Sequence, residues 1–216
     1  MTRVDSAKPT WTAAVRKLRG ADPVLATVIE RVGPCRLALD PAENPFMALA
    51  SCIVSQQLSG KAAATIFGRF QGLYPRATQP TPKQVLRTPV EKLRSAGLSG
   101  AKTAAIHDLA RRIADGLLPV DELGRMDDEA VIQTLSSVRG IGRWSAEMYL
   151  IFRLGRPDVL PVGDLGLRKG VQRAYGLEEL PKPVRLEQIA HPWKPYRSIA
   201  TWYFWASLDA KAEAGA

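Results

Sequence analysis

Apolar residues along this chain return every three to four positions. Ile106, Leu109, Ala110 and Ile113 fall at i, i+3, i+4 and i+7, and Val131, Ile132, Leu135 and Val138 follow nearly the same spacing. One face of a 3.6-residue period collects such positions, so both stretches predict amphipathic helices. Runs alternating at period two are scarce and the β-branched residues are scattered. The pattern predicts an all-α chain of roughly ten short helices with little or no sheet.

The punctuation between the apolar stretches is helical as well. Asp22-Pro23, Asn44-Pro45, Thr81-Pro82 and Thr88-Pro89 each set a capping side chain before a proline suited to the first helical position. Thr88 and Glu91 also have the spacing of a capping box. Gly72, Gly97 and Gly116 fall where helices should stop. Residues 75–89 read as a loop with two helix starts, and the first ten and last six residues as frayed ends.

Composition narrows the partner. Thirty basic residues against 21 acidic ones give a net charge of +9 and a pI near 9.8. That balance favours a polyanion, nucleic acid above all, although a basic protein without such a partner carries it too. Only Cys35 and Cys52 are present, too few for an iron–sulfur cluster or a thiolate zinc site. Cys52, within an apolar run, reads as a small buried side chain. No secretory signal core precedes residue 11 and no apolar run reaches membrane-spanning length, so a reducing, cytoplasmic setting without membrane contact is expected, at the nucleoid if the cell is bacterial.

The segment Val138-Arg139-Gly140-Ile141-Gly142-Arg143-Trp144-Ser145-Ala146 joins one helix ending near Val138 to another starting near Arg143. Gly140 and Gly142 can take positive φ and leave the backbone bare, with Ile141 tucked in as an apolar anchor. The first amides of the second helix lack intrahelical partners and point outward at the positive dipole end, so a phosphate can sit there. Arg139 and Arg143 flank that spot. A tight turn between two core helices is the alternative. Further on, Asp164 follows Pro161-Val162-Gly163 and stands where a helix-capping carboxylate would.

Four stretches in order carry a resemblance: the hairpin; the loop Asp158-Val159-Leu160-Pro161-Val162-Gly163-Asp164; Phe46–Ala64 with its core Ile53-Val54-Ser55-Gln56-Gln57-Leu58-Ser59-Gly60-Lys61; and Trp193 through Trp205. Together they resemble the helix-hairpin-helix (HhH-GPD) DNA glycosylases, closest to the 3-methyladenine DNA glycosylase II family, over about residues 40–208. The family's longest members carry an N-terminal β-rich domain, and only about 40 residues precede the first motif here. The resemblance implies one compact unit spanning 1–216, with an active-site cleft between two helical lobes. One lobe is about 44–156, with the helix-hairpin-helix at 130–154, and the other about 1–43 plus 157–216.

It also implies the chemistry. The family's catalytic aspartate matches Asp164, where an ionised carboxylate would stabilise the positive charge that builds on the sugar as the glycosidic bond breaks. Trp205 matches a base-stacking tryptophan. Trp144 lies at the expected mouth of the cleft, and Met148 stands where relatives have another aromatic residue. Gln57 with Leu58 matches the wedge that fills the gap left by a flipped base. Arg139, Gly140, Ile141, Gly142, Arg143, Ser145, Ser59 and Lys61 are candidate contacts to the DNA backbone. Trp193 and Trp202 are assigned to the core, and Arg197 to a structural role, capping or bracing the lobes. Relatives that also nick the strand carry a lysine just after the hairpin. Trp144 holds that place here, so a monofunctional enzyme is expected.

No cofactor and no side-chain metal site is expected, since the two histidines, His107 and His191, lie far apart. Carbonyls near 135–142 can hold a Na+ or K+ ion, as family members do. The expected partner is double-stranded DNA carrying an alkylated purine, bound by a monomer. Two other readings remain open: a non-catalytic helix-hairpin-helix DNA-binding protein, and an RNA-binding helical protein.

Overall fold

The computed structural model describes residues 11–39, 44–75, 77 and 79–209. These form helices α1 (Thr12–Ala21), α2 (Pro23–Val32), α3 (Pro45–Ser55), α4 (Gly60–Gly72), α5 (Pro82–Leu86), α6 (Val90–Ser95), α7 (Gly100–Ala114), α8 (Asp128–Ser136), α9 (Arg143–Phe152), α10 (Leu165–Tyr175), α11 (Pro183–Ala190) and α12 (Arg197–Asp209). Two single 3₁₀ turns lie at Leu123–Arg125 and His191–Trp193, and no strand occurs among the described residues. The ends expected to fray, residues 1–10 and 211–216, lie outside that range.

Side-chain caps set most helix starts. Asp22, Asn44 and Thr81 each accept from the first-turn amides of the helix they precede, with proline at the head of α2, α3 and α5. The capping box belongs to Thr81 and Gln84, not to Thr88 and Glu91. Pro89 precedes α6 with no side-chain cap, because the Thr88 hydroxyl bonds the Gln84 carbonyl and the Tyr74 hydroxyl. Thr88 has the spacing, but a nearer acceptor took its hydroxyl.

The chain divides into two compact units, Pro41–Leu154 and Met1–Asp40 with Gly155–Ala216. In the first, α3 is buried along nearly its whole length and packs against α4, α7 and α9. Phe46, Leu49, Ile53, Phe70, Ile106 and Leu109 form its centre, and burying each such side chain is worth roughly 1.5–3 kcal/mol. Cys52, expected inside, is half-buried on the rim of α3.

The second unit packs α2, α10 and α12 together around Trp193, Tyr203 and Phe204. Trp193 is core as expected. Trp202 is only half-buried and lies edge-on to Tyr203. Helices α10 and α12 approach so closely that a Cβ on Gly170 would stand 2.8 Å from Phe204 Cβ. Beneath them, Asp22 accepts from the Val24 and Leu25 amides, the Tyr175 hydroxyl and, at 2.7 Å, Trp193 Nε1. Four donors satisfy this buried carboxylate, as removal from water requires. Burial and the adjacent Asp22 carboxylate push the Tyr175 phenol far above its ordinary range.

Candidate active site

In the second unit Asp164 is the N-cap of α10. Its Oδ1 accepts the Leu167 amide at 2.6 Å and the Trp205 indole N–H at 2.7 Å. The residue is only 8% exposed. Two donors and the positive end of α10 therefore hold a carboxylate that water barely reaches. Trp205 itself is half-buried on α12.

Space at Gly166 permits this pairing. A Cβ there would lie 3.0 Å from Trp205 Cδ1 and 3.2 Å from Asp164 Oδ1. Gly166 and Gly170 are one turn apart on α10, so a single stripe without side chains lets α12 approach at both points.

The start of α12 fixes the loop leading to Asp164. Arg197 makes a bidentate pair with Asp158, Nε to Oδ1 at 2.8 Å and Nη2 to Oδ2 at 2.9 Å, and also donates to its carbonyl. The Ser198 hydroxyl donates to the Arg156 carbonyl and accepts the Val159 amide. Arg197, given a structural role as a cap or a brace of the lobes, holds this loop through Asp158. Seven residues separate Ser198 from Trp205, so the same face of α12 pins the loop at one end and meets the carboxylate at the other.

The hairpin lies in the first unit. Gly140 has φ +80°, and a Cβ on it would come within 3.1 Å of Ala105 Cβ. Gly142, which can also take positive φ, is instead extended (φ −97°, ψ 175°) and is the N-cap of α9 with no side-chain cap. Nothing stands within 4 Å of where its Cβ would be. Ile141 is buried as an anchor. The start of α9 is therefore open, as an anion site needs.

The remaining candidates of this unit fall into three groups. Arg139 is exposed, its amide bonded to Asp108. Arg143 pairs with Glu129 at 2.7 Å, but both side chains are about half exposed, so the pair is weak enough for a phosphate to compete. Lys61 is exposed, and Ser59 caps α4. Ser145 points inward: it is 8% exposed and accepts from Gln56 Nε2. Trp144 is 46% exposed and Met148 half-buried, both on α9. Gln57 and Leu58 are exposed at the α3–α4 turn, and Gln57 is the one non-glycine at positive φ (57°) among the described residues.

Several working residues lie outside the sequence expectations. Gln56 Nε2 donates to the Gly140 carbonyl at 2.8 Å, and Lys102 Nζ to the Val54 and Gln56 carbonyls. Asp108 accepts from the Arg139 amide, Arg111 and Arg112. Burial alone would raise the Asp108 carboxyl, but these donors hold it down at about 2. Apart from the Asp108 pairs with Arg111 and Arg112, which are neighbours on α7, each contact joins residues far apart in the chain, so periodicity carried no trace of it.

Among the carbonyls of residues 135–142, Val138 accepts the Ile141 amide and Gly140 the Gln56 side chain, one bond each. A carbonyl oxygen keeps a second lone pair, and such neutral oxygens suit a monovalent ion. No cluster of three or more His, Cys, Asp or Glu side chains able to hold a metal occurs among the described residues.

A helix pair with an open amide end and an aspartate capping a later helix are the parts of one repair-protein class. The chain belongs to the HhH-GPD superfamily of base excision DNA repair proteins, whose model matches residues 50–195. It is 35% identical over 203 residues to the alkylbase DNA glycosidase-like protein mag2 of Schizosaccharomyces pombe, covering 90% of this chain and 92% of that one. Among solved structures it resembles the 3-methyladenine DNA glycosylase Mag1 of the same yeast, in complex with abasic DNA, with TM-score 0.80, 33% identity and 89% and 95% of the two chains covered. A DNA-3-methyladenine glycosidase from Bacillus halodurans matches with TM-score 0.80 at 38% identity, over 93% and 91% of the two chains.

Proposed function

We propose that this chain is a monofunctional DNA glycosylase that binds duplex DNA as a monomer, extrudes an alkylated purine and hydrolyses its N-glycosidic bond. The observation that carries this reading is the nearly buried Asp164 carboxylate, held by Leu167 N–H and Trp205 Nε1–H. The alkylbase and 3-methyladenine names of its relatives support the substrate class.

The C1′–N bond breaks with its electron pair leaving on the base, and positive charge spreads over the sugar. A fixed carboxylate in a water-poor setting stabilises that charge, and the same group orients the water that adds to C1′. N3- and N7-methylated purines leave readily because they already carry positive charge, which also favours stacking on an indole such as Trp205 or Trp144, with Met148 beside it on α9. Gln57 and Leu58 fill the vacated stack. The open amides of α9, with Arg139 and Arg143, take a phosphate, and Ser59 and Lys61 add backbone contacts. A sodium or potassium ion on the carbonyls of residues 135–142 would stiffen the same turn. Trp144 offers no amine and Lys169 is five residues past Asp164, so the abasic strand is left uncut.

The test is a panel of duplexes, each with one modified base, treated with alkali after incubation. Strand scission that depends on alkali, and that Asp164→Asn abolishes, is expected. Tight duplex binding without release of any base would instead leave a non-catalytic helix-hairpin-helix DNA-binding protein.

A further inference from the structure

The turn after α3 holds an awkward shape. Gln57 stands at positive φ, and its neighbour Leu58 is 37% exposed. Such backbone persists only where its surroundings fix it. Just before it, the last carbonyls of α3 lack intrahelical partners at the negative end of the helix. Lys102, in the first turn of α7, answers both needs: its Nζ donates to the Val54 carbonyl at 2.6 Å and to the Gln56 carbonyl at 2.8 Å. Desolvation lowers the Lys102 pKa, as expected for an ammonium that has exchanged water for carbonyls.

The same stripe of α7 also holds the hairpin. Three residues beyond Lys102, Ala105 is the small neighbour that Gly140 packs against. Three further on, Asp108 accepts the Arg139 amide at 3.0 Å. Gln56 closes the arrangement, its backbone held by Lys102 and its side chain by Gly140 O and Ser145 Oγ.

We propose that Lys102 is a positioning residue for base extrusion: by clamping the carbonyls of Val54 and Gln56 it holds the Gln57-Leu58 tip in register with the hairpin that grips the phosphate. The proposal rests on the reading of Gln57 and Leu58 as the wedge. It predicts that loss of the ammonium impairs unstacking of DNA and leaves the phosphate grip intact.

The experiment compares the full chain with Lys102→Met, Lys102→Arg and the double variant Gln57→Ala/Leu58→Ala. One probe is a duplex with a tetrahydrofuran abasic analogue beside 2-aminopurine, whose fluorescence rises on unstacking. The other is single-turnover release of 7-methylguanine. Lys102→Met should lose most of the fluorescence rise and slow release about ten-fold or more, the order expected for losing hydrogen bonds to a charged group. Its salt dependence on undamaged duplex should be unchanged, because the phosphate contacts are. Lys102→Arg should restore part of both signals, since a guanidinium fork reaches two carbonyls. Should the methionine variant not fold, Lys102→Gln serves in its place.

If the double variant loses both signals while Lys102→Met keeps them, Lys102 has no positioning role and the wedge stands. If the double variant keeps both, the wedge reading falls and this proposal with it. A Lys102→Met protein whose salt dependence drops together with its fluorescence, unrescued by arginine, would reduce Lys102 to general stability.

Discussion

Two helix starts in this molecule solve the same electrostatic problem in opposite ways. Both α9 and α10 begin with amides that have no intrahelical partner, at a positive dipole end. At α10 the chain supplies its own anion, Asp164, and buries it. At α9 it supplies Gly142, which caps nothing and crowds nothing. A filled cap yields a fixed charge that can act on a substrate, and an empty one yields a socket for a charge the substrate brings. On the proposed function, the difference between a reacting group and a binding group is one side chain at the same position of a helix.

Neutralising the filled cap should have the largest effect. Asp164→Asn keeps the shape and removes the charge, and single-turnover base release should fall about a thousand-fold or more while duplex affinity holds. Filling the empty cap comes next. Gly142→Asp fits the extended backbone without a clash, and its carboxylate would occupy the amides meant for phosphate. Duplex affinity should drop roughly ten- to a hundred-fold and the salt slope should shrink by about one. Thermal stability should stay level or rise by about 1 kcal/mol, the ordinary worth of a cap. Unchanged binding in a titration at two salt concentrations would show that the socket is not used.

A smaller effect follows from crowding the filled cap. Gly166→Ala places a methyl group 3.0 Å from the Trp205 ring and 3.2 Å from the Asp164 carboxylate. Base release should slow about ten-fold as the indole hydrogen bond is lost, and Trp205→Phe should give a similar deficit without the crowding. The smallest effect concerns the support of the empty cap. Asp108 is held at about 2, below its ordinary 3.8, so its bonds to Arg139, Arg111 and Arg112 are complete above about pH 4 and fade as pH falls toward 2. That is worth roughly 2 kcal/mol by the size of the shift. Urea melts of the parent and Asp108→Asn should therefore differ at neutral pH and converge near the acid end.

The legible parts are those the chain writes locally. Asp22, Asn44 and Thr81 each sit beside the proline that opens a helix. Asp164 is readable as a cap because the loop and the apolar period change at that residue. The hairpin is readable because two glycines break a helical pattern that resumes at once. Gly142 shows the limit: sequence gives it conformational freedom, whereas the fold holds it extended and leaves open space where a side chain would stand. Thr88 shows another, since two threonines had cap spacing and the second turns its hydroxyl back to the Gln84 carbonyl and to Tyr74. Lys102, Gln56, Ser198 and Gly166 were not legible at all. Each works through a partner set by packing, such as an indole 39 residues away or a carbonyl 48 residues back, and no local period records such a meeting.

The Asp22 carboxylate ties a residue near the start of the chain to Tyr175 and Trp193 near its end. The unit that houses Asp164 is assembled from two stretches on either side of the hairpin unit, which is itself one continuous stretch. On the ribosome the hairpin stretch is complete long before α12 emerges, and domains fold as units as their sequence becomes complete. A nascent chain thus completes the hairpin unit first, and the Asp164 carboxylate meets its indole partner only once α12 has followed.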